Sequence, residues 1–328
     1  MSVSGFDVAV QTGAAISVAV WLLLTAAVLL VRIVRGAREG RLSALQRRLR
    51  AIDGAQLEPE AREAEIDRLL QRLPRIAIDH ILVSASESPL LADALARHAL
   101  RRSGAGRLLV DARRSRGPKW RRIAAMRVLA RARHPELVDV LRDASRDHDP
   151  DVVEAAVGLL GTLPDHRAAE ALVEMLRCGR HAASRVASVL DVFPLPIPDL
   201  LCVLTGDRTP AMRYWGATLL GRYDPSPDIE AALCDLASDP DATVRKAAVE
   251  ALGRMASEAT ASVATALLAD PVFYVRAHAV RALVSLGTLN ATETIARALG
   301  DPDWWVRRAA AESLTALEPR EVVAVAGT

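Results

Sequence analysis

The sequence predicts an all-α chain in which one membrane-crossing helix precedes a solenoid of stacked helix pairs. Three observations carry that prediction. Aromatic residues make up 3% of the 328 residues against 51% hydrophobic, so the apolar mass is mostly Ala, Leu and Val. Such a composition suits closely packed helices and is poor material for a sandwich of aromatic and β-branched strands. A motif recurs at a fixed spacing of 31 residues, which marks a repeat architecture. An uncharged apolar run near the start is long enough to cross a bilayer.

That run extends from Val8 to Val31 and is strongest from Ala14 to Val31. About 20 apolar residues in a helix span a ~30 Å hydrocarbon core. A cleaved signal peptide carries its positive charge before the apolar run. Here Asp7 precedes it and Arg32, Arg35, Arg38 and Arg41 follow. Residues 1–13 are therefore expected to form a short non-cytoplasmic tail and residues 14–34 a retained transmembrane helix. The arginines set the orientation: N-terminus out, bulk of the chain in the cytoplasm, as a single-pass protein of a bacterial inner membrane.

Residues 35–88 read as a basic juxtamembrane segment and helical spacer. Residues 32–50 hold seven Arg and one Glu. This is a topology signal, and also a surface that can attract anionic headgroups at ~1 kcal/mol per Arg. Glu58, Pro59 and Glu60 open an amphipathic helix, EAREAEIDRLLQRL, with acids in its first turn. Pro74 ends it.

Residues 89–328 read as the solenoid. DPDATVRKAAVEAL from Asp239, DPVFYVRAHAVRAL from Asp270 and DPDWWVRRAAAESL from Asp301 align without gaps. Val244, Val275 and Val306 match, as do Ala248, Ala279 and Ala310, and Leu252, Leu283 and Leu314. Worn copies begin at Asp207 and Asp147, another lies around Trp120 to Leu129, and a further unit begins near Pro89. Each unit reads as two helices. The Asp is expected to cap the first helix, with the Pro in its first turn. Val, Ala and Leu then line one face, and Ala lets crossing backbones approach closely. A second amphipathic helix follows, as in Pro164 to Leu176, Ser226 to Ala237 and Asn290 to Leu299. One pair cannot bury its own apolar face, so neighbours must stack. PREVVAVAGT, from Pro319, reads as the start of one more second helix.

Period, signature and helix pairing resemble HEAT-like repeats, specifically the short bacterial form first named from phycobilisome-lyase proteins. The resemblance implies a right-handed, curved α-solenoid with second helices on the concave face. It also implies that Arg213, Arg245, Arg276 and Arg307 form a structural ladder with aspartates of adjacent turns, Asp239, Asp270 and Asp301 among them. No bilin-lyase activity is carried over, because nothing in the sequence identifies a chromophore site.

Two surfaces are candidates for partner binding. Residues 97–133 hold thirteen Lys and Arg and a single acid, Asp111. Arg113, Arg114, Arg116, Lys119, Arg121 and Arg122 are expected to cluster at one inter-helix corner, the footprint of an anionic partner. Phe273–Tyr274 and Trp304–Trp305 occupy the same two positions of consecutive repeats. Four aromatics at one corner of so aromatic-poor a chain point to a protein-binding hot spot. Tyr214 and Trp215 read as core. The prolines at 194, 196 and 198 are expected to force an extended connection, either a local bend in the solenoid or a docking loop.

Chemistry has little support. No His-Glu pair of the kind used by HEAT-repeat hydroxylases is present, nor His-x-x-x-His, Cys-x-x-Cys, P-loop or Gly-x-Ser-x-Gly. SGAGR, at Ser103 to Arg107, matches no nucleotide fingerprint. Cys178, Cys202 and Cys234 read as small core residues. No catalytic residue, metal or cofactor is expected. The resulting expectation is a membrane-anchored cytoplasmic scaffold that binds a protein partner, for example a polysaccharide-synthesising membrane glycosyltransferase. Two alternatives stay open: binding of nucleic acid or anionic lipid through residues 97–133, and a solenoid enzyme with an unrecognised active site.

Overall fold

The computed structural model describes residues 59–71, 89–114, 117–179, 182–286 and 289–326, with positions 44, 47–48 and 51–52. The expected transmembrane segment 14–34 lies outside the described residues, and so does Arg116. Among the described residues there is no strand, and no helix is long and apolar enough to cross a membrane. The chain divides into two compact units, Met1–Val140 and Leu141–Thr328.

The first unit contains α1 (Pro59–Gln71), α2 (Pro89–Ser103), α3 (Ala105–Arg113) and α4 (Lys119–Arg131). Ile66 and Leu70, one turn apart on α1, are buried, and α1 packs on α2. A polar clamp joins the same two helices. Asp67 accepts from Arg101 Nη2 at 2.6 Å and lies 2.9 Å from His98 Nδ1. SGAGR is the α2–α3 junction, where Gly104 takes φ +73°, a conformation that favours glycine. α3 packs along α4. The chain passes into the second unit through α5 (Leu137–Ala144).

The second unit continues with α6 (Pro150–Leu160), α7 (His166–Cys178), α8 (Ala183–Asp191), α9 (Pro198–Thr205), α10 (Pro210–Leu220) and α11 (Pro227–Leu236). Then come α12 (Ala242–Met255), α13 (Glu258–Leu267), α14 (Phe273–Val284), α15 (Leu289–Arg297) with a 3-10 turn at Ala298–Gly300, and α16 (Trp304–Ala326). First helices stack on first helices, in the row α6, α8, α10, α12, α14, α16. Second helices α7, α9, α11 and α13 form a parallel row. Each pair thus buries its apolar face against the next, as a solenoid requires.

The repeat signature explains this stacking. Val244, Val275 and Val306 are fully buried, and so are Ala248, Ala279 and Ala310. Between these layers the backbones come very close. A Cβ on Gly253 of α12 would sit 2.9 Å from Ala282 Cβ on α14, and one on Gly221 would sit 2.7 Å from Ala251 Cβ on α12.

Three expectations need correction. The signature aspartates do not cap the helices. Asp241 caps α12 through the Thr243 N–H, and Asp239 stands two residues earlier, accepting from the Asp241 N–H. The Asp239 carboxylate is already committed to that turn and to Arg213, so helical backbone begins only at Ala242. Asp270 and Asp301 hold the same place ahead of α14 and α16. Asp147 holds that place ahead of α6 too, where Asp149 is the cap and Pro150 lies in the first turn. Pro319 does not open a new helix. α16 runs from Trp304 to Ala326 with Pro319 inside it, and no Gly or Asn stands before that proline to end the helix first. Finally, Cys178 is exposed at the end of α7, and Cys202 and Cys234 are half-buried; all three are free thiols.

Candidate functional site

The geometry of the last four repeats is built on one repeated ion pair. Arg213 on α10 donates through Nε and Nη2 to both oxygens of Asp239, at 2.5 and 2.8 Å. Arg245 on α12 does the same to Asp270 at 2.7 and 3.0 Å, and Arg276 on α14 to Asp301 at 2.8 and 2.9 Å. Nη1 turns back on each Arg's own repeat. In Arg245 it donates to the carbonyls of Asp239 and Pro240 at 2.8 and 3.1 Å. One guanidinium therefore ties its helix start to the next repeat, using the planar fork that only Arg supplies.

Charge balance follows from this geometry. Burial works to raise the Asp239 and Asp270 carboxyls, but the guanidinium and backbone N–H bonds outweigh it and hold both below the usual carboxylate range. Asp301 is lowered first by its Arg276 bonds. Hydrogen bonding to their aspartates raises Arg213, Arg245 and Arg276. Arg307 keeps the inward half of the pattern, to the carbonyls of Asp301 and Pro302, both at 2.8 Å. Among the described residues its outward fork meets no carboxylate. Upstream the ladder changes hands: Asp207 accepts from Arg177 Nε on second helix α7, at 3.0 Å. Sequence spacing gave no sign of that rung, because Arg177 is outside the motif.

The aromatic corner lies beside this ladder. Phe273 and Trp304 are the first residues of α14 and α16. Trp304 and Trp305 are 52% and 53% exposed and meet edge-to-face with centroids 4.7 Å apart. The Arg308 guanidinium lies 5.4 Å from the Trp304 ring centroid and donates to Glu312. Phe273 is exposed and Tyr274 half-buried, also edge-to-face, at 5.6 Å. Each Val two residues after the first aromatic is fully buried, so the rigid helix start presents the rings outward. Tyr214 and Trp215 are half-buried and lie inside α10.

The basic candidates divide. Arg113 and Arg114 are exposed at the end of α3, and Arg113 pairs with Glu136 at 3.0 Å. Lys119 lies 5.1 Å from the centroid of Trp120. Arg121 is half-buried. Arg122 is 2% exposed and is no surface contact. It falls on the face of α4 that also buries Ile123, Met126 and Leu129, where a helix position overrides residue type.

Shallow clefts in the second unit include one of about 190 Å³ beside Arg142, Glu174 and Cys178, and one of about 260 Å³ beside Phe193, Pro196 and Tyr223. Both are smaller than the roughly 300–1,000 Å³ of ligand pockets. Among the described residues no group of three or more His, Cys, Asp or Glu is placed to hold a metal.

Stacked two-helix units joined by repeated Arg–Asp rungs define an α-solenoid. The family model of HEAT repeats matches residues 107–189, 197–283 and 263–326, and the chain belongs to that family. No curated protein matches the chain. Among solved structures, human deoxyhypusine hydroxylase is similar at 18% identity, covering 84% of this chain and 98% of that one, with a TM-score of 0.35. Kap121p is similar at 12% identity (84% and 41% covered, TM-score 0.44). Kap95p, from a study of its binding to RanGDP, is similar at 13% (85% and 44% covered, TM-score 0.48). The chain spans less than half the length of these last two proteins.

Proposed function

We infer that this chain is a membrane-anchored scaffold whose solenoid binds a protein partner through the edge carrying Phe273, Tyr274, Trp304 and Trp305. The exposure of Trp304 and Trp305 on a rigid helix start carries this reading. Large aromatics with few rotatable bonds lose little entropy on binding and dominate hot spots. Arg308 over the Trp304 ring adds a cation to the same patch. The uncharged run from Val8 to Val31, followed by arginines, supports a single-pass anchor in a bacterial inner membrane with the solenoid in the cytoplasm. Confinement to that plane raises the effective concentration for a membrane partner, and a membrane-bound glycosyltransferase is one enzyme of that kind. The scaffold binds rather than catalyses.

The test is purification of the tagged full chain in detergent from its native host, beside a Trp304→Ala, Trp305→Ala double variant. A stoichiometric membrane protein retained by the parent and lost by the variant, at unchanged thermal stability, is the expected result. Retention by both would remove the aromatic edge from the reading. Recovery of the chain in the soluble fraction after cell lysis would remove the anchor.

A further inference from the structure

The outer face of α3 has a composition that the protein-binding edge does not explain. Its solvent side carries Gly106, Arg107, Val110, Arg113 and Arg114, and its only acid, Asp111, is buried. At 100° per residue, Arg107, Val110 and Arg114 fall within one narrow arc spanning about 10 Å of helix. Val110 is 61% exposed between the two arginines. Among the described residues, neither Arg107 nor Arg114 has a hydrogen bond or ion pair from its side chain. Arg113 holds only an exposed surface pair, which is worth little in water. Flanking helices α2 and α4 add more exposed arginines, among them Arg97, Arg102 and Arg131. Residues 89–140 carry thirteen basic and four acidic side chains.

We propose that the α3 face is a docking surface for an anionic lipid bilayer. This rests on the membrane reading above and extends it to a second, reversible contact. Arginine stems can lie along the acyl–headgroup boundary while their guanidinium groups bind lipid phosphates bidentately. Val110, central and exposed, supplies the apolar contact that an interfacial helix places below the headgroups. Tethering by the apolar run would keep the bilayer at high local concentration, so a weak helix face is sufficient. A single-stranded nucleic-acid groove would instead use aromatic platforms among its arginines, and the outward face of α3 has none.

The experiment is hydrogen–deuterium exchange on the full chain, mixed with vesicles of phosphatidylcholine or of an equal mixture of phosphatidylcholine and phosphatidylglycerol. Flotation is scored in parallel, and a duplex DNA arm is run at the same salt. The chain should float with both vesicles, and exchange over residues 105–114 should slow only with the anionic ones. An Arg107→Gln, Arg114→Gln variant should still float while its α3 docking weakens roughly thirtyfold, the ~2 kcal/mol of two arginines near such a surface. Unchanged exchange over α4 reports that the variant is folded. Flotation with both vesicles but identical α3 exchange would overturn the proposal and leave the anchor standing. Flotation with anionic vesicles alone, lost in the variant, would support the α3 face and remove the anchor. No flotation with either would remove both. Stronger α3 protection by duplex than by anionic vesicles would assign the face to nucleic acid and overturn the proposal.

Discussion

Arg245→Ala tests whether the ladder holds the repeats together. The Arg245 and Asp270 side chains are 13% and 3% exposed, so water cannot fully replace what is lost. Asp270 accepts two bonds from Arg245 and one from the Val272 N–H. Removing the two charge-assisted bonds, at roughly 1.5–3 kcal/mol each, leaves a buried carboxylate with one backbone donor. Breaking such a pair costs about 3–5 kcal/mol. The internal control is Arg222–Asp191, a pair in which Nη2 donates at 2.9 Å and Nε lies 2.8 Å from the other oxygen, but with side chains 60% and 28% exposed. Arg222→Ala should cost under ~1 kcal/mol. Because repeat arrays need not unfold in one step, local opening energies from native-state hydrogen exchange over α12 and α14 are the appropriate assay. An Arg245→Met, Asp270→Leu pair should recover part of the loss, short of ~1 kcal/mol for each part-buried backbone group it orphans, the Val272 amide and the Asp239 carbonyl. Equal costs for Arg245→Ala and Arg222→Ala would refute the argument that burial gives the rungs their strength.

Acid should loosen the ladder. Asp239, Asp270 and Asp301 are held below their unfolded value of about 3.9. Their contribution is therefore full above about pH 4 and is lost as pH falls through the folded values. Hydrogen exchange over residues 207–300 followed down to about pH 2 checks this, and Asp270→Asn should flatten the dependence locally. Gly253→Val should force α12 away from Ala282 on α14, costing about 1–3 kcal/mol by overpacking, read as a lowered Tm. Asp67→Ala should release α1 from α2, since it removes the shared partner of His98 and Arg101. Exchange over residues 59–71 should rise while that over α12 stays unchanged.

The repeating core was legible because Val, Ala and Leu recur at helical spacing in three gapless copies, and those positions are buried except for the half-buried Leu314 of the last copy. Position along the helix start was less legible. Asp239 and Asp241 are both capping residue types, and only folding shows that the first turns to Arg213 and leaves the cap to the second. Residues 26 apart, such as Arg213 and Asp239, meet only after two helices fold back, so spacing alone does not pair them. The exposed aromatics were readable because they break an otherwise apolar-poor turn just ahead of a buried Val. Arg122 was misread because charge was counted without the helix phase, which turns it inward beside Ile123 and Met126. Nothing in sequence marked Arg177 as a rung, since it reaches Asp207 from a second helix.

Interchangeable rungs also bear on how such a gene can change length. Loss of residues 239–269 would join Ser238 to Asp270 and bring the Asp270 carboxylate under Arg213 at the same 26-residue separation that Asp239 holds now. The buried Val and Ala of the next helix would arrive in register with it. An in-frame deletion or duplication of 31 codons between Asp239 and Asp301 therefore leaves every junction chemically native. The same cut through the proline connection at 192–197 would not. Gain or loss of a whole unit could thus lengthen or shorten the solenoid without inventing a new interface.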